Sequence, residues 1–401
     1  MDTIPYYDLI GTQVKRIFAV EDFTLGTSQQ NYVVRYRGRL VAQDSSQAYD
    51  QLAESLKPIS LTPLFRVENG QQIILIEKTP PPVKPAKTTL NWIMLVLTIL
   101  SVITSGGLSQ IENMPGNILQ AALLILKEGW PFAVSLMSIL LAHEMGHYLV
   151  ARAYGYSVSL PYFIPLPFTQ LGTMGAVIFA KERYKNRRIT FDMAAAGPLA
   201  GLLASVVVLV IGLSLSNLDR IPSVVSQGRL FQIEGNSIFY LFVKYLRFGK
   251  LLPQPLDYGE VAPWLYWLKY FFTGKPYPMG GLDVMIHPVA WAGWVGLLIT
   301  SLNLIPAGQL DGGHIFSILF GVERARKIWP VIIVILAGLG FLWSGWWLWA
   351  GIIFMVGRLY VQPLDEITQL DRPRRLLGVL ILVILVLIFT PIPLVLIGPS
   401  V

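Results

Sequence analysis

The stretch SLMSILLAHEMGHYLVARAYG, Ser135 to Gly155, carries His143, Glu144 and His147 inside an otherwise apolar run. Two histidines four residues apart share one face of a helix, so both imidazoles can reach a single metal ion. Glu144 stands beside the first of them, where a carboxylate can take a proton from water at the ion and later return it to a departing amine. Five-residue H-E-x-x-H matches arise by chance. The competing account is a helix whose histidines pack against polar neighbours. Three ionisable groups at membrane depth are costly, which favours a use for them.

A catalytic zinc takes three protein ligands and keeps one position open. The chain has no cysteine and only four histidines, at 143, 147, 287 and 314, so the missing ligand comes from a short roster. Asp311 and His314 lie in TSLNLIPAGQLDGGHIFSILFG (300–321), at the end of an apolar segment that matches the level of His147. Asp283 and His287 fall at the opposite end, and both are expected to be solvated loop residues. Between Asp311 and His314 the spacing alone does not decide.

The elements that must position these groups belong to a membrane protein. Of 401 residues, 54% are hydrophobic and only 14% charged, and the mean hydropathy is +0.56. Soluble domains are about a quarter charged. The net charge of +7 comes from basic residues in loops beside apolar runs, where they set topology, so nucleic-acid binding is not expected. The opening MDTIPYYDLIGTQVKR is too polar for a cleavable signal peptide.

Residues 1–78 suit a small soluble α+β domain, with strands in TQVKRIFAVEDFTL and NYVVRYRGRLVAQ, a helix in DSSQAYDQLAESL and a hairpin turning at Asn69-Gly70. A Pro-rich linker occupies 79–89. From residue 90 to 401 apolar segments dominate, and a span needs about 20 apolar residues. Spans are expected at 91–108, 131–154, 193–215, 289–306 and 375–397. ILQAALLILK (118–127) is too short to span alone, and 328–357 reads as a helical hairpin split at Ser344-Gly345. LPYFIPLPFTQLGTMGAVIFAKE (160–182) has too many prolines for a spanning helix and a strand-like content near its end. Basic clusters at Lys84/Lys87, 181–188, 324–327 and 372–375 all fall on one side if that side is cytoplasmic, which puts the N-terminal domain in the cytoplasm and the 216–288 loop outside.

HEMGH, AAAGPLAG (194–201) and NLIPAGQLDGGH (303–314), in that order, resemble the site-2 protease family of intramembrane zinc metalloproteases, whose signatures are H-E-x-x-H and N-x-x-P-x-x-x-L-D-G. The resemblance implies a polytopic α-helical fold of about 6–8 membrane segments with a core at about 131–320. It implies a zinc held by His143, His147 and Asp311, with Glu144 as general base. It also implies that Asn303 holds the substrate near the scissile bond, whereas the structural alternative ties that amide to the backbone broken by Pro306. His314 matches no family ligand. In the relatives the 160–182 region forms a hairpin or sheet near the active site, where an unwound substrate could add as a strand. The extra N-terminal domain, the extra C-terminal spans and the lack of cysteine look most like the cyanobacterial and chloroplast branch related to the plant Egy proteins. That branch implies a cyanobacterial plasma or thylakoid membrane and a transmembrane protein as substrate. A proton- or ion-coupled transporter using the same residues as a relay is the alternative function.

Overall fold

In the computed structural model, which describes residues 4–27, 29–81, 88–223 and 231–397, the N-terminal unit is built on a four-stranded antiparallel sheet. Its elements are α1 (Ile4–Lys15), β1 (Phe18–Leu25), β2 (Val34–Leu40), α2 (Ser45–Leu56), β3 (Leu61–Glu68) and β4 (Gln71–Lys78), with sheet order β1-β2-β4-β3. Asp44 caps α2 by accepting from the Ser46 amide, and Asn69 and Gly70 take the left-handed conformations that a tight two-residue hairpin needs. One expectation is corrected: residues 12–15 are helix rather than strand. Ile10 and Val14, four apart, both bury into the small core; that spacing suits a strand as well as a helix, and packing against the sheet selects the helix.

The remaining chain is mostly helical: α3 (Thr89–Leu108), α4 (Ile118–Ala153), β5 (Tyr162–Pro165), β6 (Thr173–Val177), α5 (Arg187–Ser214), β7 (Asn217–Arg220), β8 (Phe231–Glu234), α6 (Ile238–Phe248), α7 (Pro263–Thr273), β9 (Leu282–Met285), α8 (Pro288–Asn303), α9 (Asp311–Phe320), α10 (Val322–Leu339), α11 (Gly345–Val356), α12 (Arg372–Ile388) and β10 (Leu394–Ile397). Most of the linker, including Lys84 and Lys87, lies outside the described residues. Among the described residues, three helices, α3, α4 and α5, are long and apolar enough to cross a membrane. The stretch 118–127, too short to span alone, runs directly into the motif helix as the opening of α4. At about 1.5 Å per residue the 36 residues of that helix exceed the roughly 30 Å of a bilayer core, and Lys127-Glu128 mark where it leaves the apolar run. The 328–357 region divides into α10 and α11, which pack on each other. The final apolar run is helix only to Ile388; beyond Pro391 and Pro393 it becomes β10, paired antiparallel with β8.

α5 is the central helix and packs against α4 on one side and α8 on the other. The 217–285 segment closes one end of the bundle with two two-stranded sheets, β7–β9 and β8–β10. Asp283 is not solvated there but 4% exposed, with Lys244 Nζ 3.8 Å from it and 3.9 Å from Glu234. His287 caps α8 by accepting from the Val289 amide.

The N-terminal unit sits at the other end. The segment 364–366 runs as a strand between β3 and the residues just before α5. On one side Phe65 donates its amide to Leu364 (2.9 Å) and accepts from Glu366 (3.0 Å). On the other, Leu364 and Asp365 donate to the carbonyls of Tyr184 and Lys185 (2.9 and 2.6 Å). The buried Asp365 carboxylate accepts from Ser45 Oγ (3.0 Å), the amides of Ile367 and Thr368 (2.8 and 3.1 Å) and the Thr368 hydroxyl. Burial holds this carboxyl above the usual aspartate range, and the hydrogen bonds oppose that effect. Asp365→Ala strands several buried donors and is expected to cost about 2–4 kcal/mol at this junction. Hydrogen exchange should then rise in β3 and in 363–368 while the transmembrane helices keep their protection.

Candidate active site

α4 brings His143 and His147 to one face, and the ring nitrogens Nε2 of the two stand 3.3 Å apart. Asp311, the first residue of α9, places Oδ2 3.4 Å from the first and 3.5 Å from the second. A tetrahedral ion bonded at about 2.0–2.1 Å holds its ligand atoms about 3.3 Å from one another, so the triangle has the size such an ion requires. These three residues are the one group of His, Asp and Glu found to converge in this way among the described residues. Asp311 at a helix start also has its charge facing the positive end of the α9 dipole.

The ring chemistry points the same way. His147 Nδ1 lies 2.7 Å from the carbonyl of Met193 on α5. A carbonyl only accepts, so Nδ1 carries the hydrogen, and Nε2, when the ring is neutral, presents a lone pair to the centre of the triangle. A carboxylate oxygen and that ring nitrogen converge on one point and suit a cation between them, a metal ion or, without one, a proton on Nε2. An outer hydrogen bond on the non-ligating nitrogen is the usual way a metal-binding histidine is oriented.

Small residues on α5 make this approach possible. A Cβ added at Gly197 would lie 2.0 Å from His147 Nε2, and one at Gly201 would lie 3.0 Å from His143 Nδ1. The AAAGPLAG segment is therefore the wall of the site as well as a helix-packing stripe. On the opposite wall, the loop 304–310 folds back over the start of α9. A Cβ at Gly312 would meet the Leu304 carbonyl at 1.9 Å, so only glycine admits that turn.

Glu144 is 5% exposed and makes no hydrogen bond among the described residues, although its charge acts on both histidines and on Asp311. Its carboxylate is available to water or substrate. Asn303 ends α8 half-buried, and its side-chain amide makes no hydrogen bond among the described residues, so the alternative that ties it to the backbone broken at Pro306 finds no such contact. His314 stands one turn after Asp311, half-buried, and is not part of the convergent group.

β5 and β6 form a hairpin between α3 and α4. Three side chains of α3 staple it: Asn91 Nδ2 donates to Leu160 O (2.8 Å), Ser101 Oγ to Gly172 O (2.6 Å) and Ser105 Oγ to Thr169 O (2.8 Å). Past β6, Phe179 is engaged with Ser159 through both its amide (3.0 Å, to Oγ) and its carbonyl (3.0 Å, from the amide). Strand alternation then turns the amide of Ile178 outward, and it has no acceptor among the described residues. The Met193 carbonyl and this outward amide are functional groups that sequence reasoning missed, because backbone atoms carry no residue signature.

The sequence profile of Peptidase family M50 matches residues 131–344, which hold every residue of the triangle together with Glu144 and Asn303. The chain is 32% identical over 67% of its length to the probable zinc metalloprotease EGY2 of the Arabidopsis thaliana chloroplast, covering 43% of that protein. It is 29% identical over 78% of its length to the probable zinc metalloprotease EGY1 of Oryza sativa subsp. japonica, covering 52%. To EGY2 of Oryza sativa subsp. indica it is 27% identical over 94% of its length, covering 65%. The chain thus spans about half the length of the curated relatives it matches. With more than half of its residues inside the matched region, and with relatives of this kind, the chain belongs to peptidase family M50, on the branch that includes the EGY proteins.

Proposed function

We propose that this protein is an intramembrane zinc endopeptidase that hydrolyses peptide bonds within or near transmembrane segments of other membrane proteins. The observation that carries the reading is the triangle of His143, His147 and Asp311 at tetrahedral ligand separations, beside a buried and unengaged Glu144. His143, His147 and Asp311 hold the zinc. Bound there, zinc supplies Lewis acidity, which acidifies water and polarises a peptide carbonyl. The Glu144 carboxylate takes the proton of the attacking water and delivers it to the nitrogen of the leaving amine, so one water is consumed and two chain ends are released. The Asn303 amide donates to the substrate carbonyl beside the scissile bond and steadies the developing oxyanion.

A helical substrate hides its peptide bonds in its own hydrogen bonding and must be extended to reach the site. The outward edge past β6 offers main-chain partners for that extended strand. The N-terminal unit, residues 1–78, is a docked cytoplasmic domain, and 90–401 forms the membrane-embedded peptidase domain. With the basic clusters inside, cleavage falls near the cytoplasmic face of a multi-pass protein in a cyanobacterial plasma or thylakoid membrane.

The reading is tested with purified full-length chain. About one tightly bound zinc per wild-type chain, lost in His143→Ala and kept in Glu144→Gln, is the expected metal result. Cleavage of a transmembrane reporter should vanish in both variants. Full cleavage by Glu144→Gln, or ion flux through these residues without hydrolysis, would overturn it, the second in favour of a transporter.

Gly197→Ala gives a sharper test of the wall. The atom it would strike is the tip of the His147 side chain, which can swing away without unfolding α5. The variant should fold normally and lose about 10- to 100-fold in zinc affinity, measured by competition with a chelator.

Strand addition is tested by Ile178→Pro, which removes the outward amide and leaves the Phe179–Ser159 pairing in place. Turnover should fall about tenfold, the size of one lost main-chain hydrogen bond, with zinc content unchanged and Ile178→Ala near wild type. Equal loss in the alanine variant would assign the effect to the side chain instead.

A further inference from the structure

A cavity of about 540 Å³ lies between the N-terminal unit and the helix bundle, away from the metal triangle. Val67 of β3 and Gln72 of β4 form its roof. Its walls are the end of α9, the 366–370 segment and the first turns of α5 and α12.

The charges around it do not balance. Glu366 lines the cavity and interacts with Arg66, Arg187 and Arg326, while Arg375 is near enough to Arg187 to repel it. Two carboxylates, Glu366 and the buried Asp365, therefore face four guanidinium groups. Arg66 commits its Nη1 to the carbonyls of Phe65, Pro363 and Leu364 (2.9, 2.7 and 3.1 Å) and does not line the cavity. Arg187 donates one Nη to the Ile318 carbonyl, and Arg375 reaches only the Gln369 side chain, at 3.5 Å. The two arginines that line the cavity thus keep donors to spare. Both sit in the first turn of a long helix, whose free amides and dipole add to the positive field.

The other half of the lining is apolar: Ile318, Leu319 and Phe320 at the end of α9, and Val379 on α12. Val379 leads without interruption into Leu380, Val383 and Val386, an exposed apolar stripe along a helix whose start is marked by Arg372, Arg374 and Arg375. A pocket with surplus arginines at its polar end and an open path onto an exposed apolar helix face fits a phosphate joined to a hydrocarbon chain. A small soluble anion would leave the apolar half unfilled.

We propose that this cavity binds the headgroup of an anionic phospholipid, its phosphate diester between Arg375 and Arg187 and one acyl chain along Val379 and Val383. Because Val67 and Gln72 cover the pocket, the bound lipid ties the N-terminal unit to the bilayer and to the bundle at once. The inference rests on the expectation that α12 enters the membrane at its basic start, and not on the peptidase reading.

Binding, rather than hydrolysis, is therefore the readout. Full-length protein in a neutral detergent is given phosphatidylglycerol, phosphatidylcholine or inorganic phosphate, with lipid retention followed by native mass spectrometry and the unfolding midpoint measured in parallel. Phosphatidylglycerol should be retained and should raise the midpoint. Its affinity should fall about tenfold in Arg375→Gln, as expected for one lost charge-assisted contact, recover in Arg375→Lys and stay unchanged in Arg372→Gln, whose exposed side chain lies outside the cavity. Equal retention of phosphatidylcholine would overturn the proposal. So would an Arg375→Gln variant that binds like wild type. A midpoint shift reproduced in full by inorganic phosphate would assign the cavity to a soluble anion and overturn the lipid.

Discussion

Two imidazole nitrogens and a carboxylate oxygen held 3.3–3.5 Å apart in an apolar bundle are the constraint on which the rest of this molecule depends. In water such a group would be indifferent to its spacing. Out of water, an unshared carboxylate costs several kcal/mol, and any bare ring lone pair turned toward it adds repulsion. A divalent cation resolves both problems at once, provided that three different parts of the chain deliver their atoms within a few tenths of an ångström.

That delivery is a matter of helix separation. α4 carries two of the atoms and α9 the third, and α5 is the element against which both are set. Helices in a membrane gain little from hydrophobicity and associate where small residues let backbones touch. Here the small residues have a second task, since Gly197 and Gly201 leave room for the imidazoles and the Met193 carbonyl fixes one ring. Similar close contacts recur further along α5, where Gly212 meets the backbone of Ala290 and Gly293 of α8 meets Leu209. The α8 contact sets the height at which the chain turns through 304–310 into Asp311.

Much of this was legible in the sequence for a physical reason. Spacing of four on a helix is a geometric statement, so His143 and His147 could be paired without any structure. Asp311 could not be separated from His314 by spacing, and resemblance to a family pointed to the aspartate. The prolines of 160–182 ruled out a spanning helix, and the strand-like content near its end, together with the family resemblance, anticipated the β5–β6 hairpin. Other features had no local signature. Asp283 reads as a solvated loop residue, yet it is buried beside Lys244 and Glu234, which come from elements 39 and 49 residues away in the chain. Burial pushes the Glu234 carboxyl up to about 7, with the lysine opposing that shift. The helix at 4–15 was hidden because its apolar residues also suit a strand, and only the sheet it covers selects the helical face. β10 was hidden because its partner, β8, lies some 160 residues earlier.

The docking of the N-terminal unit is connected to the site by the shortest route the chain allows. The strand 364–366 binds β3 on one edge and residues 184–185 on the other, and α5 begins two residues later. Within the next two turns of α5 come Asp192 and Met193. Arg374 of α12 grips the Asp192 carboxylate with two nitrogens, at 2.8 and 2.7 Å, and Tyr154, at the end of α4, donates to the same group at 2.5 Å. The adjoining carbonyl is the one that orients His147. A bidentate arginine pair is stiff in a way that a single ion contact is not, because both the distance and the plane are fixed. The start of α5, the end of α4 and the start of α12 therefore move as one body. That body also carries the strand pairing that holds the N-terminal unit. The position of His147 is thus set by contacts that reach from β3 through the 364–366 strand and the α5 terminus, which is why a soluble sheet and a membrane-buried imidazole belong to one mechanical unit.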